Sequence, residues 1–273
     1  MRSKALLLSL ILLSSAAAFG AGISLSPLVT ELVLPPGTAY TGAIYVTNTG
    51  DEPVTVEAQV LGFTAPEGIP QFLKPEEDTY PYSGRGLLTL EPTKQRLEPG
   101  ETATFNYQVQ MPEDLDPYGG RYVAAVFTVE PPASEGAQVV IAARVASLFL
   151  ISPGTDAVPH LKIEAISIRQ SDTNPRQVIL EATITNDGNA HISSGQIVGH
   201  VYVTDEEGYI VDDFPVWTHT MLPGNTYRHE ENWTAPEKLP SGTYQFNLDI
   251  LIFSPVGTEP QRYLITMPVD LNF

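Results

Sequence analysis

The residues best able to do chemistry are five histidines, His160, His191, His200, His219 and His229, and three acidic runs, Glu76-Glu77-Asp78, Asp205-Glu206-Glu207 and Asp212-Asp213. The histidines have no metal-ligand spacing. The chain contains no His-Glu-x-x-His, no Gly-x-Ser-x-Gly and no phosphate-binding loop. His219 and His229 flank the Pro223-Gly224 turn and can approach each other across it, but two ligands are too few for zinc. The acidic runs have the oxygen chemistry of calcium sites without the EF-hand pattern, and Asp205 to Gly208 reads more simply as a hairpin turn. Carboxylate pairs for glycoside hydrolysis are defined in space rather than in sequence. Only the segment 62–86 departs from the strand pattern enough to build a cleft. The expectation is a protein without catalytic residues, metal or cofactor.

The elements that would position these residues are strands. From Ala103 the apolar residues alternate, with Phe105, Tyr107 and Val109 against Thr104, Asn106 and Gln108, which is the period of a half-buried strand. This strand belongs to a unit that occurs twice. Pro99-Gly100 and Pro223-Gly224 each open a strand-like run, and in both copies the Gly stands twelve residues before the Pro of a Pro-Glu-x-Leu segment, Pro112 to Leu115 and Pro236 to Leu239. A Gly-x-Tyr then starts a second run at Tyr122 and Tyr244. A fixed register with divergent residues is how a repeated unit looks. Tyrosines at that point match the corner tyrosine of immunoglobulin-type sandwiches, on two strands expected to be central.

Other signals recur as well. Asn48-Thr-Gly50 and Asn186-Asp-Gly188 each lie between two strand-like runs and read as hairpin-like turns. Ile23 to Leu34 reads as a first strand interrupted at Pro27, at an edge or switching sheets. Ala137 to Leu150 is expected to be the closing strand of the first unit, with a helix as the alternative, and 152–159 has linker composition. The fold class expected is all-β: two tandem immunoglobulin-like sandwiches at 23–152 and 159–273. Gly50 and Gly100 are 50 residues apart, against 36 for Gly188 and Gly224, so the first unit carries an insertion of about 14 residues within 62–86.

The chain opens with a basic Met-Arg-Ser-Lys, an apolar run through Leu13 and small residues to Ala21, the three parts of a secretory signal peptide over 1–21. No other run is long enough to span a membrane, so no transmembrane segment is expected in the mature chain. There is no Cys, which excludes disulfides, thiolate chemistry and a lipid-modified cysteine. The formal charge is −18, from 14 basic and 32 acidic residues, and loss of Arg2 and Lys4 with the leader takes it to −20. Such a chain repels polyanions, so nucleic acid is not an expected partner.

On these residues the first unit resembles a known family. ISLSPLVTELVLPPGTAYTGAIYVTNTGDEPVTV, LEPGETATFNYQVQMPEDLDPYGGRYVAAVF and ARVASLFLISPG are similar to the peptidoglycan-binding domain of WxL-interacting proteins, over about residues 23–152. That family is similar in turn to the immunoglobulin-like domains of pilus chaperones. The resemblance implies a cell-envelope protein engaging protein or cell-wall glycan. Pilus chaperones hold the carboxylate of a subunit with basic residues in the first strand and at the domain junction. Here Ile23 to Leu34 has no basic residue and carries Glu31 instead, leaving Lys162 and Arg169 as basic residues near the junction.

The function expected is that of an exported, non-catalytic binding protein of the bacterial envelope, periplasmic or at the cell surface, with an envelope protein or cell-wall glycan as partner. The alternative is a periplasmic chaperone-like protein that assists secreted or pilus-like subunits by strand donation. Its oligomeric state is left open by the sequence. The insertion supplies the candidate partner-binding residues, Phe72, Tyr80 and Tyr82, aromatics stiffened by neighbouring prolines so that less ordering is needed on binding.

Overall fold

The computed structural model describes residues 22–130, 144–154, 156–216, 219–253 and 259–273. The leader expected at 1–21 lies outside them. In the first unit the chain forms β1 (Ile23–Ser26), β2 (Val29–Val33), β3 (Ala39–Asn48), β4 (Val54–Thr64), β5 (Gln71–Leu73), β6 (Leu88–Glu91), β7 (Lys94–Leu97), β8 (Thr102–Gln110), β9 (Arg121–Glu130) and β10 (Arg144–Ser152). These make a four-stranded sheet, β1-β3-β8-β6, and a six-stranded sheet, β2-β10-β9-β4-β5, in which β7 also pairs with β4. The second unit has β11 (Leu161–Gln170), β12 (Gln177–Asn186), β13 (Ile197–Thr204), β14 (Ile210–Val216), β15 (Thr226–Thr234), β16 (Gly242–Ile252) and β17 (Gln261–Leu271). Its sheets are β11-β12-β15 and β14-β13-β16-β17. The chain is two tandem immunoglobulin-like sandwiches. Among the described residues the one helical turn is Pro66–Gly68, inside the insertion.

The alternation read in the sequence becomes burial. On β8, Phe105, Tyr107 and Val109 enter the core while Thr104, Asn106 and Gln108 face water. The first core joins Ile44, Val46, Val56, Phe105, Phe127 and Phe149, with Phe105 and Phe127 edge to face at 5.0 Å. Trp233 and Phe246 make the same kind of contact at 5.4 Å in the second core. Proline 27 does what a residue without an N–H does at a sheet edge. Before it β1 pairs antiparallel with β3, and after it β2 pairs parallel with β10, so the first strand changes sheets. The closing strand is β10 from Arg144, a strand and not a helix, and the earlier part of that expected run, 137–143, lies outside the described residues.

Two expectations change. Asn48-Thr-Gly50 and Asn186-Asp-Gly188 are not hairpin turns, because the strands flanking each belong to different sheets. The reason is the asparagine side chain. Asn48 is fully buried, donates from Nδ2 to the carbonyls of Glu52 and Leu97, and accepts the Gly50 N–H. Asn186 repeats this with Ala190, Met221 and Gly188. A side chain that satisfies buried backbone on the far side of the turn lets the chain cross the sandwich without leaving polar groups unpaired.

The second change concerns the paired tyrosines. Tyr244 lies in the core of its unit and its hydroxyl donates to the Pro240 carbonyl upstream, as a corner tyrosine does. Tyr122 points the other way. On β9 it is Val123, Ala125, Phe127 and Val129 that face the core, while Tyr122, Ala124 and Val126 line the opposite face. A shift of one residue turns a strand over. Both faces of β9 are nonetheless buried, so something covers the outer face of the six-stranded sheet.

Candidate functional site

The cover is the insertion together with the second unit. The outer face carries cross-strand rows set by register: Val29 of β2, Leu148 of β10, Ala124 of β9 and Leu61 of β4, then Glu31, Leu150 and Tyr122. Over it, Leu61, Phe63, Ala65, Tyr122, Ala124, Val126, Leu150 and Leu222 form one buried cluster, in which Leu222 is the contribution of the second unit. Each large side chain buried here stabilises the junction by about 1.5–3 kcal/mol.

The insertion holds the two units together by hydrogen bonds. Tyr80 donates its hydroxyl to the Pro223 carbonyl at 2.8 Å. The Ala65 N–H donates to Asn225 Oδ1 at 2.7 Å, and the Arg228 N–H to the Glu67 carboxylate at 2.8 Å. Gly120 N–H donates to the Asn189 carbonyl at 2.7 Å beside them. The rest of the insertion lies along the start of β9, where Tyr122 N–H donates to the Tyr82 carbonyl and Gly84 N–H to the Tyr122 carbonyl. Gly62 is required by this packing, because a Cβ there would lie 2.3 Å from the buried Asp78 carboxylate.

Of the three insertion aromatics singled out in the sequence, Tyr80 and Tyr82 sit together at 5.8 Å and Tyr80 is 6.2 Å from Tyr122, so the pair packs at the junction with part of each ring exposed. Burial raises the Tyr80 phenol well above its ordinary pKa, aided by the neighbouring Tyr82. Phe72 packs on the same cluster, opposite Phe63 on β4 and under the Arg144 guanidinium at 5.3 Å.

Sequence reasoning did not assign His191, which is 4 % exposed and lies at the centre of the junction. Its Nδ1 is 3.5 Å from the Tyr122 hydroxyl and its Nε2 is 3.9 Å from Glu31, ion-pair rather than hydrogen-bond range. A tautomer protonated on Nε2 satisfies both neighbours, with Tyr122 donating to Nδ1. The His191 ring holds the Glu31 carboxyl below its ordinary range, with Ser193 acting in the same direction and partial burial opposing. Burial pushes the Tyr122 phenol far up. The signal that could have found this site is the run Tyr122 to Val129, apolar on both faces, which a strand with one wet face does not show.

Beside Glu31 the cover is incomplete. A cleft of about 290 Å³ opens between the units, with Val29, Leu148 and Leu150 as floor, Phe63 behind, and His219 and Leu222 from the second unit. At its mouth runs β2, the edge strand of the six-stranded sheet, which exposes Val29 by 49 % and Val33 by 54 %, with Leu28 before them at 61 %. Among the described residues no backbone pairs with the outer side of β2. The pairing of β10 with β2 begins only at Leu148, so Arg144 to Ser147 has β9 on one side and no strand of the described residues on the other.

The basic residues of the sequence reading are elsewhere. Lys162 pairs with Glu164 and Arg169 with Glu181, on the exposed surface of β11 and β12. Arg121 is buried and donates to the carbonyls of Pro117, Gly119 and Gly120, while burial lowers its pKa. His219 and His229 do approach, each packed on the Tyr227 ring, at 4.8 and 6.1 Å. Among the described residues no group of three His, Cys, Asp or Glu is placed to hold a metal, and no helix is long and apolar enough to cross a membrane.

No protein-family model matches the chain, and no curated protein matches it. Solved structures do. The class 5 fimbriae chaperone CfaA is similar at 13 % identity over 89 % of this chain and 98 % of its own, with a TM-score of 0.47. The SafB chaperone in complex with the SafA pilin of Salmonella enterica gives 12 %, 91 %, 99 % and 0.45. The CsuC-CsuE chaperone–tip subunit complex of Acinetobacter baumannii gives 12 %, 77 %, 90 % and 0.42. These neighbours are chaperones of fimbriae and pili. At TM-scores below 0.5 they settle nothing about this chain, whose fold rests on its own strand order and register.

Proposed function

We propose that this protein is an exported, non-catalytic binding protein of the bacterial envelope that holds an extended segment of another polypeptide by strand sharing, as an assembly chaperone does. The observation that supports this is the outer edge of the six-stranded sheet. An edge strand with unpaired backbone is a template for another strand, and sequences usually protect it with charged side chains, Pro or a bulge. Here Val29 to Val33 has no Pro or bulge, carries the single charge of Glu31 and exposes valines beside an apolar cleft. Main-chain bonds along such an edge give affinity and the pocket beside it reads side chains. The partner surface extends in this reading to Phe72, beneath the Arg144 side chain, and to the open parts of Tyr80 and Tyr82. The WxL-interacting resemblance admits cell-wall glycan as well as protein.

The test is capture from the native envelope with the mature chain as bait, and with a Val29→Lys, Val33→Lys double variant. Both valines are exposed, and the melting temperature of the variant checks that it folds. We expect a polypeptide that the wild type retains and the variant releases. Retention of purified peptidoglycan by both proteins, with no polypeptide, would favour the glycan.

A further inference from the structure

We propose that the β2 edge selects a partner segment whose central residue is basic and is flanked two positions away on each side by apolar residues. The inference rests on the strand-sharing reading above and says which strand the edge takes. On β2 the residues turned to the cleft side are Val29, Glu31 and Val33, all exposed, while Thr30 and Leu32 turn inward and Leu32 packs on the first core. A strand added alongside places its own alternate residues directly opposite these three, at about 4.5–5.5 Å between Cβ atoms. The complement of Val, Glu, Val is apolar, basic, apolar. Because that pattern reads the same in both directions, the selection does not depend on whether the partner runs parallel or antiparallel.

The carboxylate is built to stay charged and to stay in place. His191, buried behind it, and Ser193 act on its inner side, while the Glu31 side chain is still 48 % exposed toward the edge. The groups that face it from the packed elements are Tyr122 of β9 through His191, Ser193 and His191 of the second unit, and Leu150 of β10; none is a fixed positive charge. The arginines of β9 and β10 are committed elsewhere, Arg121 to three carbonyls and Arg144 to the Phe72 face. The mouth of the cleft therefore presents apolar surface with one anionic point in the middle. A terminal or side-chain carboxylate entering here meets Glu31 as a like charge opposite it across the strand pair, whereas a Lys or Arg lays its stem on Val29 and Val33 and its head on Glu31.

The probe is a fluorophore-labelled peptide, STVTKTVTS, compared with STVTETVTS by anisotropy against the full mature chain at low salt. The Lys peptide is expected to bind about tenfold more tightly than the Glu peptide. Glu31→Gln should remove the preference and Glu31→Lys should reverse it, with melting checked for both so that misfolding is not read as lost selection. Salt should narrow the difference in the wild type and not in Glu31→Gln. Equal binding of the two peptides to the wild type overturns the charge selection and leaves strand sharing intact. Absence of binding by either peptide overturns both.

Discussion

Asn48 and Asn186 show how much one side chain can decide. Each amide bridges carbonyls on two segments of its sandwich and is fully buried. Replacement by Ala leaves those carbonyls without a partner, so Asn48→Ala and Asn186→Ala should each cost about 2–3 kcal/mol, measured by urea denaturation. Similar losses are expected because the two asparagines hold equivalent turns. At the junction the effects divide by chemistry. Tyr80→Phe removes only the bond to Pro223 and should cost about 1 kcal/mol, whereas Tyr122→Ala empties a fully buried site and should cost about 3–5 kcal/mol. His229 supplies a pH dependence. Burial, with His219 adding to it and Glu230 opposing, lowers its pKa to about 4, against about 6.5 when unfolded. The unfolded chain then binds more protons across that window, so the neutral ring contributes stability above pH 6.5 that is lost as pH falls toward 4. His229→Gln should flatten the fall in melting temperature between pH 7 and pH 5. An unchanged slope would assign that fall to the carboxylates.

At the scale of elements, the insertion is the part whose role the sequence showed least. Its existence follows from the spacing of Gly50 and Gly100 against Gly188 and Gly224, and its Pro and aromatic content reads as an ordered or semi-ordered surface segment. Its destination does not follow, because Tyr80 and Glu67 find Pro223 and Arg228 across more than 140 residues of chain. Periodicity reports which face of a strand is dry and not which segment dries it. Strands with one wet face, such as β8, were legible residue by residue. The turns at Asn48 and Asn186 were not, since Asn and Gly before a strand serve a hairpin and a crossing equally well. Glu31 was noticed only as a missing basic residue, and His191 carried no local signal. Shortening the insertion by removing 66–82, which takes out both Glu67 and Tyr80, should loosen the coupling of the units without unfolding them. Calorimetry would then show two transitions where the intact chain shows one, and a single transition in both would mean that Ala65, Leu222 and Asn189 suffice to couple them.

At the scale of the whole molecule, the two copies are unequal. The second has its own core, from Leu161 to Leu271, with both tyrosine and tryptophan anchors inside it. The first relies on the second to cover Leu150 and Tyr122. Expressed separately, 159–273 should fold as a two-state domain, while 23–152 should keep β-structure yet bind a hydrophobic dye and lose thermal stability relative to the intact chain. A 23–152 fragment as stable as the whole would show that the insertion alone protects the outer face. The net negative charge, −18 over the whole sequence and −20 without Arg2 and Lys4, adds a repulsion that both copies share, so the melting temperature of the mature chain should rise between very low salt and physiological ionic strength.

The cover supplied by Leu222 also has an order in time. Leu150 stands 72 residues before Leu222, so in a chain that emerges N-terminus first the outer face of β9 and β10 is complete before Leu222 is there to cover it. During that interval the insertion alone lies over the face. The chain therefore passes through a stage in which its first copy is itself an unfinished strand-sharing surface, open to any segment that arrives before its own second half.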